Sequence, residues 1–295
     1  MSLLITGSLA YDHLLAYQGN FSDLIIPEKI NNLSICFYTP EKEICFGGCS
    51  GNIAYNLNLL KADFVLYGRA GKDFQEYINH FKKHKINTKY IQIDKNDYTA
   101  TAYVTSDKNG NQITSFAPGV MQKKFKVDIS KINKKIDLAI ISPEDNNFMQ
   151  QLINQCIKNN IKFIFDPGQQ LPTFKKENIL EILKSAFLTI VNDYEMDLLC
   201  KITNLDKNYF LKNKKNLIIT LGENGSELIE NGKIIKIKAY KPKKILNPTG
   251  CGDAYRAGLL YGLSQNWNLE KSCDLGSELG SKLIEYRGTQ EHVKF

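Results

Sequence analysis

Residues 247–258 read NPTGCGDAYRAG. Pro248 ends whatever strand precedes it, Gly250 and Gly252 let the backbone turn with its amides unobstructed, and a helix is predicted to begin near Asp253. Amides at a helix N-terminus attract anions. A lone carboxylate there has two readings. It can be an N-cap, which needs no glycines, or it can be a general base beside an anion-binding turn. The second suits phosphoryl transfer, in which unshielded amides stabilise charge on the moving group while the carboxylate takes the proton of an attacking hydroxyl. Cys251 can be read as a nucleophile, but no histidine lies near it in sequence, and a small space-filling residue serves equally.

Other stretches offer polar groups next to glycines. In FGGCSGNIAYNLNLL, residues 46–60, Gly47 and Gly48 permit close approach of a ligand, and Asn52 is expected in the first helical turn with a donor and an acceptor suited to a sugar hydroxyl. An ordinary strand-to-helix turn would look the same. Asp12 is expected after the first strand and a small loop, where open α/β sheets bind ligands and a carboxylate can accept from two hydroxyls. Asn192 and Glu195 have the spacing of a capping box, the reading their local sequence favours; the same spacing could orient water on Mg2+. Thr220, Gly222 and Gly225 follow another strand and leave backbone open, as a simple turn would. His80 and His84 are one turn apart in a lysine-rich helix end with no third ligand, so they read as a solvated face rather than a metal site.

These groups need a scaffold. LLITG (3–7), FVLYG (64–68), DLAIIS (137–142), KFIFD (162–166), FLTIV (187–191) and NLIIT (216–220) read as strands buried on both faces. Amphipathic segments separate them; residues 73–84 set Phe74, Tyr77, Ile78 and Phe81 in one stripe. That alternation predicts an α/β fold with a mostly parallel central sheet flanked by helices. Residues 33–46 and 99–116 instead alternate apolar and polar residues around turn signals such as Asn109-Gly110, which predicts antiparallel strands forming a small lid. The alternative is a hairpin insertion without a role. Phe37, Tyr38, Tyr103 and Phe116 are read as packing within that sheet, with some lining whatever it covers. No repeat or linker divides residues 1–295, so a single domain with this excursion is expected.

The chain carries 38 Lys and Arg against 31 Asp and Glu, net +7. Its basic runs are short, scattered and not interleaved with aromatics, which argues against nucleic-acid binding. Seven cysteines without a CxxC pair argue against a disulfide framework or a thiolate zinc site, and point to the cytoplasm. No apolar run of membrane-spanning length occurs. Neither GxxxxGK[ST] nor a strand-following GxGxxG is present, which excludes those nucleotide-binding loops.

Taken in order, Asp12, Gly47 and Gly48 with Asn52, Gly68 with Gly71 and Asp73, Asn192 with Glu195, Thr220 with Gly222 and Gly225, and Gly250 to Asp253 resemble the motifs of the ribokinase-like (PfkB) family of sugar and nucleoside kinases. The resemblance implies ATP and Mg2+ as cofactors and Asp253 as catalytic base, with Gly250, Cys251 and Gly252 as anion hole. It implies that Asn192 and Glu195 hold phosphate and magnesium-bound water, that Thr220, Gly222 and Gly225 lie along ATP, and that Asp12, Gly47, Gly48 and Asn52 grip the acceptor. NPTGCGDAYRAGLLYG, ITSFAPGVM (113–121) and EYRGTQEH (285–292) are similar to bacterial adenosine or nucleoside kinases. Phosphorylation of a nucleoside, adenosine first, on its 5' hydroxyl is therefore expected. A ribokinase-type sugar kinase is the alternative, with a phosphofructokinase-like enzyme and a non-catalytic nucleoside-binding regulator more distant. The family's last motif commonly begins Asp-Thr and has Ala before its second glycine. Asn247, Pro248 and Cys251 stand here, which leaves activation by a monovalent cation an open question. A monomer, or a homodimer paired through the lid, is expected.

Overall fold

The computed structural model describes residues 1–294. Its strands, in chain order, are β1 (Leu3–Thr6), β2 (Ala10–Ala16), β3 (Glu41–Gly47), β4 (Phe64–Ala70), β5 (Tyr90–Ile93), β6 (Ala100–Ser106), β7 (Gln112–Ala117), β8 (Leu138–Ile141), β9 (Lys162–Phe165), β10 (Leu188–Asn192), β11 (Leu217–Thr220), β12 (Ser226–Glu230) and β13 (Lys233–Ile237). The helices are α1 (Cys49–Leu59), α2 (Gln75–Lys83), α3 (Asn146–Lys158), α4 (Lys176–Ser185), α5 (Asp193–Thr203), α6 (Lys207–Lys212), α7 (Cys251–Ser264) and α8 (Leu269–Leu283).

Nine strands form the main sheet in the order β13-β12-β11-β10-β9-β8-β1-β4-β5. Pairing is parallel from β5 across to β11, and β12 and β13 close one edge antiparallel. The six apolar runs are central because each must cover both faces. In β1, Leu3 and Ile5 point to a core shared with Ile53 and Leu57 of α1 and Leu259 and Leu260 of α7, whereas Leu4 points to the opposite core with Phe148, Met149 and Leu152 of α3. On α2, Tyr77 and Phe81 are fully buried and Ile78 packs against the same cluster.

The four-stranded sheet has the order β3-β2-β6-β7. One expectation is corrected here. Residues 33–40 form no strand, and the fourth lid strand is β2, so Asp12, which follows the first strand and a small loop as expected, is part of the lid. The adjacent polar pair Asp12-His13 hides the alternation of β2 in the sequence. Because β2 follows β1 after three residues and β3 runs directly into α1, the lid stands on the C-terminal ends of the central strands. That is the end of a parallel sheet where ligands bind.

Candidate active site

Gly250 takes φ +81, and a Cβ there would lie 2.6 Å from Cγ2 of Thr289. The chain turns sharply enough at this point for α7 to start at Cys251. The N–H of Cys251 donates to the carbonyl of Pro248 at 3.3 Å. Those of Gly252 and Asp253 find no protein acceptor among the described residues, and Gly252 is exposed. Two unpaired donors on the positive end of a 14-residue helix make an anion site that fits a phosphate.

Asp253, in that first turn, is half-buried. Burial pushes its carboxyl up to about 6, against the lowering effects of Asn52 and Arg256. Asp12 is also pushed up to about 6 by burial, and the two carboxylates lie close enough to raise Asp253 further. Gly47, paired with Ala10, lies against Asp12, and a Cβ on it would collide with that carboxylate. Gly48 takes φ +84. The structure thus gathers Asp12, Gly47, Gly48 and Asn52 with Gly250 to Asp253 around one cleft, under the lid.

Asn52 is only 3% exposed. Its Nδ2 donates to Oδ2 of Asp253 at 2.8 Å, and its Oδ1 faces Oγ1 of Thr289 and Nε2 of Gln290, each at 2.9 Å. Its oxygen is engaged with the protein and one of its two Nδ2 protons goes to Asp253, so it also holds this carboxylate in place. His80 and His84 differ from expectation. Both are half-buried; His80 stacks between Phe46 and Tyr55 and bonds Gln290, so this is an aromatic cluster and not a solvated face.

On the far side of the cleft, Asn192 and Glu195 form both bonds of a capping box at the start of α5: Oδ1 of Asn192 accepts from the Glu195 N–H at 2.7 Å, and Glu195 Oε2 accepts from the Asn192 N–H at 2.9 Å. Oε1 of Glu195 accepts no bond among the described residues. Burial raises this carboxyl, as does the neighbouring Asp166, while Arg256 lowers it. That free oxygen fits a magnesium-bound water. Thr220 pairs with Asn192 across β11 and β10, and Gly222 lies in the open turn beyond, with nothing within 4 Å of a Cβ; Gly225 closes that turn onto β12.

Two arginines brace these surroundings. Arg69 is 4% exposed, bonds Glu144 at 2.8 and 3.1 Å and caps the carbonyls of Met121 and Lys123, so it anchors the chain leaving the lid. Arg256 bonds both oxygens of Asp166 at 2.5 Å and the Gly252 carbonyl at 3.0 Å, directly behind the open amides. Asp166 follows β9, and a carboxylate ending a parallel strand is a signal the sequence offered. Thr289 and Gln290 carried no such signal.

A sequence model of pfkB family carbohydrate kinases matches residues 33–294. A nucleoside kinase from Methanocaldococcus jannaschii is 30% identical over 268 residues, covering 90% of this chain and 88% of that protein. A 5-dehydro-2-deoxygluconokinase from Clostridium beijerinckii is 26% identical over 264 residues, covering 81% and 78%. The structure of Burkholderia thailandensis nucleoside kinase in complex with inosine superposes with a TM-score of 0.85 at 35% identity, covering 99% of this chain and 93% of that one. With the family model spanning most of its length, the chain belongs to the pfkB family of carbohydrate kinases.

Proposed function

We propose that this ATP-dependent phosphotransferase phosphorylates the 5' hydroxyl of a purine nucleoside, adenosine first. The observation that carries the reading is the register of the lid. Asp12 stands beside Ala102, which stands beside Phe116, so all three share a face, together with Leu14 and Val104 two residues along. Tyr103, in contact with His13, is on the opposite face, and Phe37 packs away on Tyr17 and Phe21. An apolar surface headed by a half-exposed Phe116 next to a ribose-binding carboxylate suits a base. A free pentose would leave it unfilled. The inosine held by the Burkholderia thailandensis enzyme supports an acceptor of this class.

When bound, ATP supplies the γ-phosphoryl group, and Mg2+ neutralises charge on its oxygens. Asp12 accepts from ribose hydroxyls. Asp253, its Oδ2 held by Asn52, takes the 5' proton on Oδ1. The N–H groups of Gly252 and Asp253 donate to oxygens of the moving group, and Arg256 behind them adds positive charge. Gly250 and Cys251 shape that hole. Glu195, with Asn192, would hold Mg2+ through water, and Thr220, Gly222 and Gly225 would lie along the nucleotide. Asn247 spends both ends of its amide within the protein, Nδ2 to the Arg287 carbonyl at 2.6 Å and Oδ1 from the Thr249 N–H at 2.9 Å. We therefore expect no requirement for a monovalent cation. The seven cysteines are free thiols, in keeping with a cytoplasmic enzyme, and no helix among the described residues is long and apolar enough to cross a membrane. The lid's other face exposes Ile44, Tyr103 and Ile113, the surface a lid-paired homodimer would use; sedimentation of the wild type beside Tyr103→Glu reads that directly.

Stacking a base on an aromatic ring contributes about 1–3 kcal/mol, so adenosine should exceed ribose in kcat/KM by roughly tenfold to a hundredfold. Phe116→Ala should bring that ratio close to one. A ratio unchanged by Phe116→Ala would return this ring to sheet packing.

A further inference from the structure

The bond from Asn52 to Asp253 is the last link of a buried chain that starts on α2. Tyr77 has a single proton, which goes to the Gly47 carbonyl at 2.8 Å, so its oxygen must accept at 2.5 Å from Nε2 of Gln290. That fixes the Gln290 amide: its NH2 also reaches Oδ1 of Asn52, and its Oε1 faces Nε2 of His80 at 3.1 Å. His80 is held neutral by burial, which lowers its pKa to about 4, and donates from Nε2. Oγ1 of Thr289 lies 2.9 Å from Oδ1 of Asn52 and 3.0 Å from the Phe46 carbonyl, and its single proton serves one of these two acceptors. Asn52, Tyr77, Thr289 and Gln290 are each at most 4% exposed. Flipping the Asn52 amide would set its NH2 against the NH2 of Gln290 and its oxygen against a carboxylate.

We propose that Gln290, with Thr289 beside it, is a positioning residue for the catalytic base: the Gln290 NH2 locks Asn52 so that its amide donates to Oδ2 of Asp253, leaving Oδ1 to take the acceptor's proton. This rests on the reading of Asp253 as base. It gives the C-terminal stretch a part in the chemistry although it touches neither substrate nor reacting atoms. The other groups facing Asp253 are Arg256 and Cys251 on α7, Asp166 after β9, Asp12 on β2, Cys49 at the start of α1 and Tyr77 on α2. Of these only Tyr77 bonds Gln290, and burial, which raises its pKa well above the ordinary value, keeps it a neutral phenol, so Asn52 is the route by which a change at Gln290 reaches the base.

The test is the pH dependence of kcat/KM for adenosine in Gln290→Met, Thr289→Val and the double variant, which keep side-chain size and remove the donors. Asn52 favours the charged carboxylate, so unlocking it raises the pKa of Asp253 and moves the acidic limb to higher pH, by about half a unit or more in the double variant. At neutral pH kcat should fall about tenfold with KM for ATP within about twofold. A double variant that melts like the wild type, with limb and kcat unmoved, overturns the proposal. Should it fail to fold, Gln290→Met alone is read in its place, with the same upward shift expected and an unmoved limb again decisive. Near-normal turnover by Asp253→Asn would instead sink the base itself, so the two failures are distinguishable.

Discussion

At the start of α1, the N–H groups of Cys49 and Ser50 donate to the side-chain and backbone oxygens of Ser8, each at 3.1 Å. At the start of α7, the N–H groups of Gly252 and Asp253 donate to nothing among the described residues. Both turns are rich in glycine, both open a helix onto the same cleft, and in sequence they look alike. The difference lies in the neighbouring chain: Gly7 to Leu9, just after β1, run beside the start of α1 and take up its amides, whereas among the described residues no segment offers an acceptor to the N–H groups of Gly252 and Asp253. An anion site is therefore decided less by the glycines than by whether another segment has already used the amides.

Substitutions can separate the two turns. The largest effect is expected at Asp253, where Asp253→Asn should lower kcat by about 10² to 10⁴ while the protein stays folded and binds ligand. Near-normal turnover would reduce it to a helix cap. If Asp253 is the base it must be ionised to act, and burial raises its pKa to about 6. The rate should hence fall as pH drops through about 6, and a flat profile from pH 8 to 5 would count against this carboxylate.

The contrast itself is tested by placing one methyl at each turn. In Gly252→Ala the nearest atom to the new Cβ is Nη1 of Arg256 at 3.1 Å. Crowding the open amides should cost about tenfold in rate, with stability changed by no more than about 0.5 kcal/mol. Gly48→Ala instead strains a backbone at φ +84 and sets Cβ 2.6 Å from the Ser8 carbonyl oxygen. It should lose about 1–3 kcal/mol or more of stability. Denaturant melts beside initial rates check both, and equal stability losses would erase the distinction.

Much of this is legible in the sequence. The six apolar runs are readable because a parallel strand covered on both faces has no polar alternation to obscure it. The β12–β13 hairpin lies outside that set, although Asn231-Gly232 sits between alternating residues, and both take positive φ, 51° and 77°. That signal was available. The site residues of the helix-opening motifs are readable because a turn and its helix are contiguous. The bonds from Thr289 and Gln290 to Asn52 are not, because they span 237 and 238 residues. Nothing local to either end of such a bond marks its partner.

Smaller effects sharpen the picture around the phosphate. Glu195→Gln should raise the Mg2+ concentration needed for half-maximal rate by about threefold to tenfold, since it removes charge while keeping the capping geometry. An unchanged Mg2+ curve would leave Asn192 and Glu195 as a helix cap alone. The smallest effect is expected from replacing K+ with tetramethylammonium, which should change the rate by less than about twofold because the Asn247 amide already ties its loop to the Arg287 carbonyl. A strong dependence on K+ would contradict that.

The most direct test mixes purified protein with Mg-ATP and, separately, adenosine, inosine, ribose and fructose, following ADP release and identifying the product by phosphorus NMR. The expected product is a nucleoside 5'-monophosphate formed in step with ADP, at a kcat/KM above that of either sugar. A sugar turned over faster than every nucleoside tested would contradict the assignment of a nucleoside as acceptor.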